Sequence, residues 1–245
     1  MNRIGLSGYP PLRSSTFGKD RRDQHRHRRG RPSARPGHRP HLRLPGLRRR
    51  ADLPQSGEID TLIGKLTAEG ITAAAFPADI LDRGALGQAL QEAAAKFGGV
   101  DVLEYSPVAG LTTVMTTPAE TEPAHVQHEM EFQLYGAIAA TRAVLPAMRE
   151  AGAGTLLYTT GAGSIDPVPQ VGNINAAAAA LRNWVINLHK ELDGTGIQAA
   201  HVGIDVSIGT PAVPGFPTAQ PEEISPVYWD LHTAKRDQAE LVFSR

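Results

Sequence analysis

The chain has 245 residues, enough for one α/β domain with a full hydrophobic core. It contains no cysteine, which excludes disulfides and cysteine-based zinc or redox sites and is typical of a cytoplasmic protein. The 25 basic and 25 acidic residues give a formal net charge of zero, and no apolar run approaches the roughly 18 residues of a membrane-spanning helix. No apolar stretch follows the charge in residues 1–5, so a signal peptide is not expected either.

The first 50 residues differ sharply in composition from the rest. They hold fourteen arginines and one lysine against Asp20 and Asp23, a net charge of +13, whereas residues 51–245 carry −13. Prolines interrupt every candidate element in residues 1–55, and the segment shows no apolar period of 2.0 or 3.6 residues. Such a segment buries too little apolar surface to offset its chain entropy. We therefore predict that residues 1–55 form a disordered basic segment.

Two origins are open for this segment. A basic arm could bind nucleic acid through phosphates, but it lacks aromatic residues interleaved with its basic ones for base stacking. It also precedes an acidic body, so nucleic acid is the least favoured partner. The alternative is translation out of frame. If the reading frame is shifted by one base, the junctions Arg31-Pro32, Arg35-Pro36 and Gly37-His38 can each encode glycine, in the spacing G-x-x-x-G-x-G. The shifted codons before these glycines can encode a strand, and those after them can encode a helix followed by a strand. We favour a frame-shifted remnant of a strand–helix–strand unit.

From residue 56 the sequence alternates apolar strands with amphipathic helices. Helices are predicted over residues 58–69, 83–97, 124–150, 175–192 and 221–243, and strands over residues 71–76, 100–105, 155–160 and 197–204. Asp82 is expected to cap the second helix, which Gly98 ends. This alternation predicts an α/β fold, a doubly wound parallel sheet in a three-layer α/β/α domain over residues 56–245. Such sheets bind ligands at the carboxyl ends of their strands.

Several segments of this domain carry motifs of one known family. Residues 76–82, Phe-Pro-Ala-Asp-Ile-Leu-Asp, resemble a strand-end D-V-x-D motif, and Asp101-Val102-Leu103 resembles the start of a strand that ends in N-N-A-G. Residues 136–148 resemble a central helix, and residues 154–157 resemble the strand before a catalytic serine. Thr210-Pro211 lies where a threonine binds the nicotinamide amide. In this order, over residues 57–243, the chain resembles the short-chain dehydrogenase/reductase family, which has a Rossmann fold.

The resemblance implies an oxidoreductase for a small-molecule carbonyl or alcohol substrate, with NAD or NADP as cofactor. It also implies a homodimer or homotetramer, because the family pairs its central helix and the helix after it between subunits. The positions that match cofactor contacts are Asp79, Ile80, Tyr105, Ser106, Thr160 and Thr210. No metal is expected: His125 and His128 have a spacing able to bind a metal, but without a third ligand type in pattern a solvated helix face is favoured.

The departures from the family concern its catalytic residues. Ile174 stands at the tyrosine and Ala178 at the lysine of the family's Y-x-x-x-K helix, and the serine falls at Thr160 or Gly161. In the family the tyrosine transfers the proton, while the lysine lowers its pKa and holds the ribose. Neither isoleucine nor alanine titrates, so this acid–base chemistry cannot occur here. The catalytic residues therefore stay unassigned.

Other polar residues have competing interpretations. Ser106, Thr160 and Ser164 could line a nicotinamide or substrate pocket, whereas Tyr158 is expected in the core. Asn173 and Asn175 could bind ribose, although N-capping explains Asn175 better. One functional hypothesis is hydride transfer in which water, or a residue such as Tyr105, handles the proton. The other is a catalytically inactive nucleotide sensor or scaffold. Without an in-frame glycine turn, the chain is predicted to bind dinucleotide weakly and to fold marginally.

Overall fold

A computed structural model describes residues 2–7, 41–43, 56–107, 114–211, 215–234 and 236–245, with side chains from residue 59 onward. Most of the predicted disordered segment, including the permitted glycine junctions, lies outside the described residues. Its predicted disorder and its frame-shifted origin therefore stay predictions. Among the described helices, none combines the length and the apolar character needed to cross a membrane.

The described residues contain eight strands. They are β1 (Asn2–Ser7), β2 (His41–Arg43), β3 (Val102–Ser106), β4 (Gly154–Gly161), β5 (Ile197–Ile204), β6 (Ser207–Ile208), β7 (Thr218–Ala219) and β8 (Glu240–Phe243). Six of them form one parallel sheet in the order β2-β1-β3-β4-β5-β8, and β6 pairs with β7 separately. The direction of winding reverses between β1 and β3, which is where such sheets open a crevice for ligands. In register, Ser7 lies beside Ser106 and Gly161 beside Ile204. We call this carboxyl-terminal side of the sheet the strand-end edge.

Six α-helices accompany the sheet. They are α1 (Ser56–Ala68), α2 (Arg83–Phe97), α3 (Pro123–Met130), α4 (Gly136–Ala151), α5 (Gly172–Glu191) and α6 (Pro221–Thr233). A π-helical turn over Glu131–Tyr135 joins α3 to α4, so the predicted long helix is continuous. Asp82 caps α2 by accepting the Ala85 N–H, and Gly98 ends it at a φ of 77°, both as predicted.

Apolar residues cover both faces of the sheet, because alternate side chains of a strand point to opposite faces. Leu103 and Leu156 pack with α2, α4 and α5 in the larger cluster. Val102 and Leu157, their neighbours along β3 and β4, pack with Ile224 and other residues of α6 in the smaller one. This arrangement confirms the three-layer α/β/α architecture.

Two expectations about the strands are corrected here. Residues 2–7 form β1 inside the sheet and residues 41–43 form β2 at its edge, so these two short stretches of the basic segment are strands. Strand pairing uses backbone groups, which residues 2–7 can offer despite their polar composition. Residues 71–76 form no strand, and Ala78 alone makes a bridge there. This segment has three consecutive alanines, which are depleted in strands.

The last element also differs from the prediction. The final helix ends at Thr233, and Glu240–Phe243 is β8, which pairs in parallel with the outer side of β5. The sequence Glu-Leu-Val-Phe suits a strand, because β-branched and aromatic residues favour extended backbone. As a result, a carboxylate from the end of the chain lies beside the middle of β5.

Candidate active site

Thr160 lies at the end of β4 and is the centre of a buried polar network. Its hydroxyl oxygen lies 2.8 Å from His201 Nε2, 2.9 Å from the Gly161 carbonyl oxygen and 3.0 Å from Ser164 Oγ. His201 is fully buried in β5 on the face that α5 covers. Its other ring nitrogen, Nδ1, lies 3.1 Å from Glu240 Oε2 in β8. Three neighbouring strands thus contribute a hydroxyl, an imidazole and a carboxylate in one hydrogen-bonded line.

Arg182 of α5 completes this network. Its guanidinium binds both oxygens of Glu240, one of them through Nη2 at 2.9 Å and the other through Nε. Hydrogen bonds from Arg182 hold the pKa of Glu240 below its usual range, so the group is a carboxylate at neutral pH. Burial lowers the pKa of His201 to about 4, which makes the ring neutral there. A neutral ring beside a carboxylate carries its proton on Nδ1, so Nε2 is left as an acceptor for the Thr160 hydroxyl.

Ser164 ends the network on the side of the strand-end edge. It closes the 3₁₀ turn Ala162–Ser164, which follows β4 directly. Within the described part of the chain, Thr160 is the hydrogen-bond partner of its hydroxyl, which therefore has bonding capacity left. A Cβ added to Gly161 would meet no heavy atom within 4 Å, so open space borders the network here. A ligand at this edge would meet Ser164 before His201.

The two positions that lack catalytic residues lie on α5. Ile174 is half-buried and Ala178 is buried, and neither side chain can exchange a proton. Gln133 of the π-helical turn donates to Glu129 Oε2 at 3.1 Å and to the Ile174 carbonyl at 3.4 Å. These bonds tie the π-helical turn to α5. The loss of the standard tyrosine and lysine is therefore accommodated by packing and by backbone contacts.

Asn173 and Asn175 bind loop backbone. Asn173 accepts the Thr116 N–H at 3.0 Å and donates to the Val114 carbonyl at 2.8 Å. Asn175 donates to the Val168 carbonyl and makes no capping bond, so the capping interpretation is wrong. Both amides therefore position the loops around the strand-end edge.

Asp79 and Ile80 follow the bridge residue Ala78. Asp79 is half-buried, and its Oδ1 accepts the Leu81 N–H at 2.9 Å, which fixes the turn toward α2. Ile80 is fully buried and its side chain belongs to the larger core cluster. Of these two predicted cofactor contacts, Asp79 presents a side chain to solvent, whereas Ile80 could meet a ligand through its backbone.

Tyr105 and Ser106 end β3 but differ in access. The Tyr105 ring is fully buried, and its hydroxyl donates to the Phe132 carbonyl at 2.7 Å. Burial raises the pKa of this phenol well above its usual value, and the nearby Tyr158 adds to the shift. Tyr105 was expected to contact the cofactor. Instead its ring is buried and its hydroxyl is bonded to the backbone, so the phenol does not face the strand-end edge. Ser106 is also buried, and its hydroxyl bonds to Glu104.

The remaining predicted residues lie apart from the network. Tyr158 is in the core, as predicted, with its hydroxyl 2.5 Å from Thr141 Oγ1. Thr210 is exposed, and its N–H donates to the Ile208 carbonyl in a turn just before residues that lie outside the described part. His125 accepts the Glu122 N–H at the start of α3. In the described ranges, no group of three or more possible ligands could hold a metal ion.

Residues 52–209, more than half of the chain, match the family profile described as short chain dehydrogenase. The chain belongs to the short-chain dehydrogenase family. Two curated family relatives are each 27% identical to it. One is a short chain dehydrogenase of Pseudocercospora fijiensis, matched over 57% of this chain and 45% of the relative. The other is the BbsC subunit of (2S)-[(R)-hydroxy(phenyl)methyl]succinyl-CoA dehydrogenase of Thauera aromatica, matched over 62% and 56%. The chain thus spans about half the length of these relatives.

Solved structures of dehydrogenases and reductases share the fold. L-sorbose reductase from Gluconobacter frateurii, complexed with NADPH and L-sorbose, has a TM-score of 0.71 at 18% identity, covering 84% of this chain and 86% of that one. A 3-oxoacyl-[acyl-carrier protein] reductase from Brucella melitensis with bound NAD has a TM-score of 0.67 at 18% identity, covering 83% and 80%. At these identities the likeness confirms the Rossmann-type fold alone.

A nicotinamide dinucleotide, which the family implies, fits the strand-end edge on two observations. Open space lies beside Gly161, and the hydroxyls of Thr160 and Ser164 border it. His201, Glu240 and Arg182 were not predicted as part of a site. The histidine inside the apolar run of β5 was the one signal in the sequence that could have indicated a buried polar site. The other two residues come from α5 and from β8, a strand that the sequence analysis predicted as helix.

Proposed function

We propose that this protein is a nicotinamide dinucleotide-dependent oxidoreductase that acts on a carbonyl or alcohol substrate through a non-standard site. The observation that carries the proposal is the polar network at the end of β4, whose hydroxyls border open space at the strand-end edge. Sheets of this kind bind dinucleotides at that edge. Solved structures with the same fold contain NADPH or NAD, which supports a nicotinamide dinucleotide as the cofactor.

Different residues would serve the two ends of the cofactor. Asp79 is placed to bind the adenine end, because one of its carboxylate oxygens is held by Leu81 and its side chain is half-exposed. Thr160 and Ser164 border the space for the nicotinamide end and the substrate. When bound, the nicotinamide supplies or accepts the hydride. The chain's own residues then have to orient the substrate oxygen and handle its proton.

Cofactor binding is tested by titrating the chain with NADH and with NADPH and following their fluorescence. We expect weak binding of one of them, and tighter binding by a chain whose residues 8–55 are encoded in the shifted frame. Asp79→Asn keeps the acceptor for the Leu81 N–H but removes the charge, so affinity should fall about tenfold. Asp193→Asn, an exposed change at the opposite edge, is the matched control. If neither chain binds either dinucleotide, the proposed function is wrong.

A second candidate function is a catalytically inactive nucleotide sensor or scaffold. The observation that favours it is the pair Ile174 and Ala178, which leaves α5 without a titratable group where the family has tyrosine and lysine. The relative from Thauera aromatica is itself described as a subunit of a dehydrogenase. Stopped-flow oxidation of bound NAD(P)H with a panel of carbonyl compounds separates the two functions: binding without turnover of any compound favours the sensor.

We further propose a homodimer or homotetramer formed through α4 and α5. The support is the resemblance to the family, together with the row of small residues Ala176–Ala180, which permits close helix packing. Light scattering coupled to size-exclusion chromatography measures the mass directly, and a monomer at micromolar concentration would refute the proposal.

A further inference from the structure

A proton has to be exchanged with the substrate oxygen, and the usual tyrosine is absent. We propose that Ser164, Thr160 and His201 form a proton relay in which Ser164 contacts the substrate oxygen and His201 is the terminal base. Glu240 and Arg182 are positioning residues that act through His201. This inference rests on the proposed function and assigns its acid–base groups.

The geometry of the relay is continuous from the open edge to the sheet interior. Ser164 Oγ lies 3.0 Å from Thr160 Oγ1, which lies 2.8 Å from His201 Nε2. Both distances are within the normal range for hydrogen bonds. The resting geometry has Thr160 as the donor to Ser164 Oγ, so the relay requires both hydroxyls to rotate until Ser164 donates to Thr160 and Thr160 donates to His201 Nε2; the backbone need not move. Thr160 Oγ1 has three polar neighbours, the third being the Gly161 carbonyl, whereas Ser164 has capacity left. Ser164 is therefore the member that can meet a substrate.

The other side of the imidazole fixes its tautomer. Glu240 accepts from Nδ1 at 3.1 Å, and Arg182 holds both carboxylate oxygens in place. A base whose second nitrogen bonds to a carboxylate is oriented as in hydrolytic triads, where the carboxylate stabilises the imidazolium that forms. β4 contributes the uncharged Thr160, β8 contributes Glu240 and α5 contributes Arg182, and these are the groups that the described chain places against His201.

The step is balanced as an alcohol oxidation. The substrate O–H bond breaks and its proton passes to Ser164 Oγ, while the proton of Ser164 passes to Thr160 and that of Thr160 to His201 Nε2. The carbinol carbon is oxidised to a carbonyl as its hydride reduces the nicotinamide. Since His201 is neutral at pH 7, the relay is ready for this direction, and carbonyl reduction runs the same proton path in reverse.

The test compares hydroxyl removal with hydroxyl retention at one position. Thr160→Val interrupts the relay at nearly the same volume, whereas Thr160→Ser keeps the hydroxyl. In the full chain at saturating dinucleotide, kcat should fall about 100-fold or more for Thr160→Val and for Ser164→Ala, and should stay within about threefold for Thr160→Ser. Dinucleotide affinity is measured for all three variants, so that a loss of binding is separated from a loss of kcat. His189→Asn removes a histidine that bonds to the Ala199 carbonyl, away from the relay, and should leave kcat unaltered.

A second measurement needs no turnover. In the ¹⁵N NMR spectrum of the dinucleotide-free protein, His201 should show a protonated Nδ1 and an unprotonated Nε2 from pH 7 down to pH 5, and Thr160→Val should shift the Nε2 signal. If the variants oxidise alcohols as fast as the parent chain, or if the proton resides on Nε2, the relay is wrong while the proposed function stands. If no dinucleotide binds, both are wrong.

Discussion

Glu104 gives the sharpest prediction about stability. It lies in β3 between Gly5 of β1 and Leu157 of β4, is half-buried, and bonds to the Ser106 hydroxyl. Burial raises its pKa from 4.5 to about 7. Between these two values the folded state binds more protons than the unfolded state, so the free energy of unfolding falls as pH rises through this window. Glu104→Gln has the same shape and removes this titration.

The magnitude follows from the shift. A difference of this size corresponds to about 3 kcal/mol once pH exceeds 8, because each pKa unit is worth about 1.4 kcal/mol. At pH 5 most of the effect is absent and the cost is below about 1 kcal/mol. Relative to the parent chain, the stability of Glu104→Gln should therefore rise by about 2–3 kcal/mol between pH 5 and pH 8.5.

Urea unfolding at pH 5, 6, 7 and 8.5 measures this difference. His201, whose pKa is lowered to about 4, weakens the folded state as pH falls below 6.5, but it does so equally in both chains and cancels in the comparison. Glu150→Gln, an exposed change at the end of α4, serves as the control and should run parallel to the parent chain. If Glu104→Gln is also parallel to it at every pH, Glu104 does not titrate in the fold as argued.

Two further substitutions test close packing around the site by the same unfolding assay. A Cβ at Gly136 would lie 2.1 Å from the Tyr105 hydroxyl oxygen, so Gly136→Ala should lower the free energy of unfolding by about 3 kcal/mol. The double variant with Tyr105→Phe should recover part of this stability; equal losses in the single and double variants would place the strain elsewhere. Asn173→Ala removes two hydrogen bonds to the backbone of Thr116 and Val114 and should cost about 2 kcal/mol, with faster proteolysis of that loop; unchanged proteolysis would mean that other contacts hold the loop.

The helices and the inner strands of the fold were predictable because their signals are local. Asp82 and Gly98 mark the two ends of α2, and the apolar run at residues 197–204 matches β5 residue for residue. The incorrect predictions concern segments whose conformation depends on pairing with other strands. Residues 2–7 and 240–243 pair along strand edges that backbone groups alone can satisfy. Residues 71–76 form no strand, although their apolar composition suggested one.

The candidate site was predictable at its family positions and not beyond them. Thr160 was identified because it lies at the family's serine. Its connection to His201 depends on the register of β4 with β5, which pairs Thr160 with Gly203 and leaves the side chains of Thr160 and His201 on one face. Glu240 enters through β8, a strand that the sequence did not reveal. Contacts between strands far apart in sequence carry no signature in residue spacing.

The position of Arg182 connects the missing lysine to the network that is present. Arg182 follows Ala178 by four residues, so the two share one face of α5, one turn apart. The helix no longer offers a cation at the strand-end edge, where a ribose would lie, and instead directs one to Glu240 beside β5. A proton acceptor near that edge then has to come from the sheet, and His201 is the neutral base that the sheet provides. The absence of tyrosine and lysine from α5 and the His201–Glu240 pair in the sheet thus belong to one arrangement, which Arg182 of α5 connects.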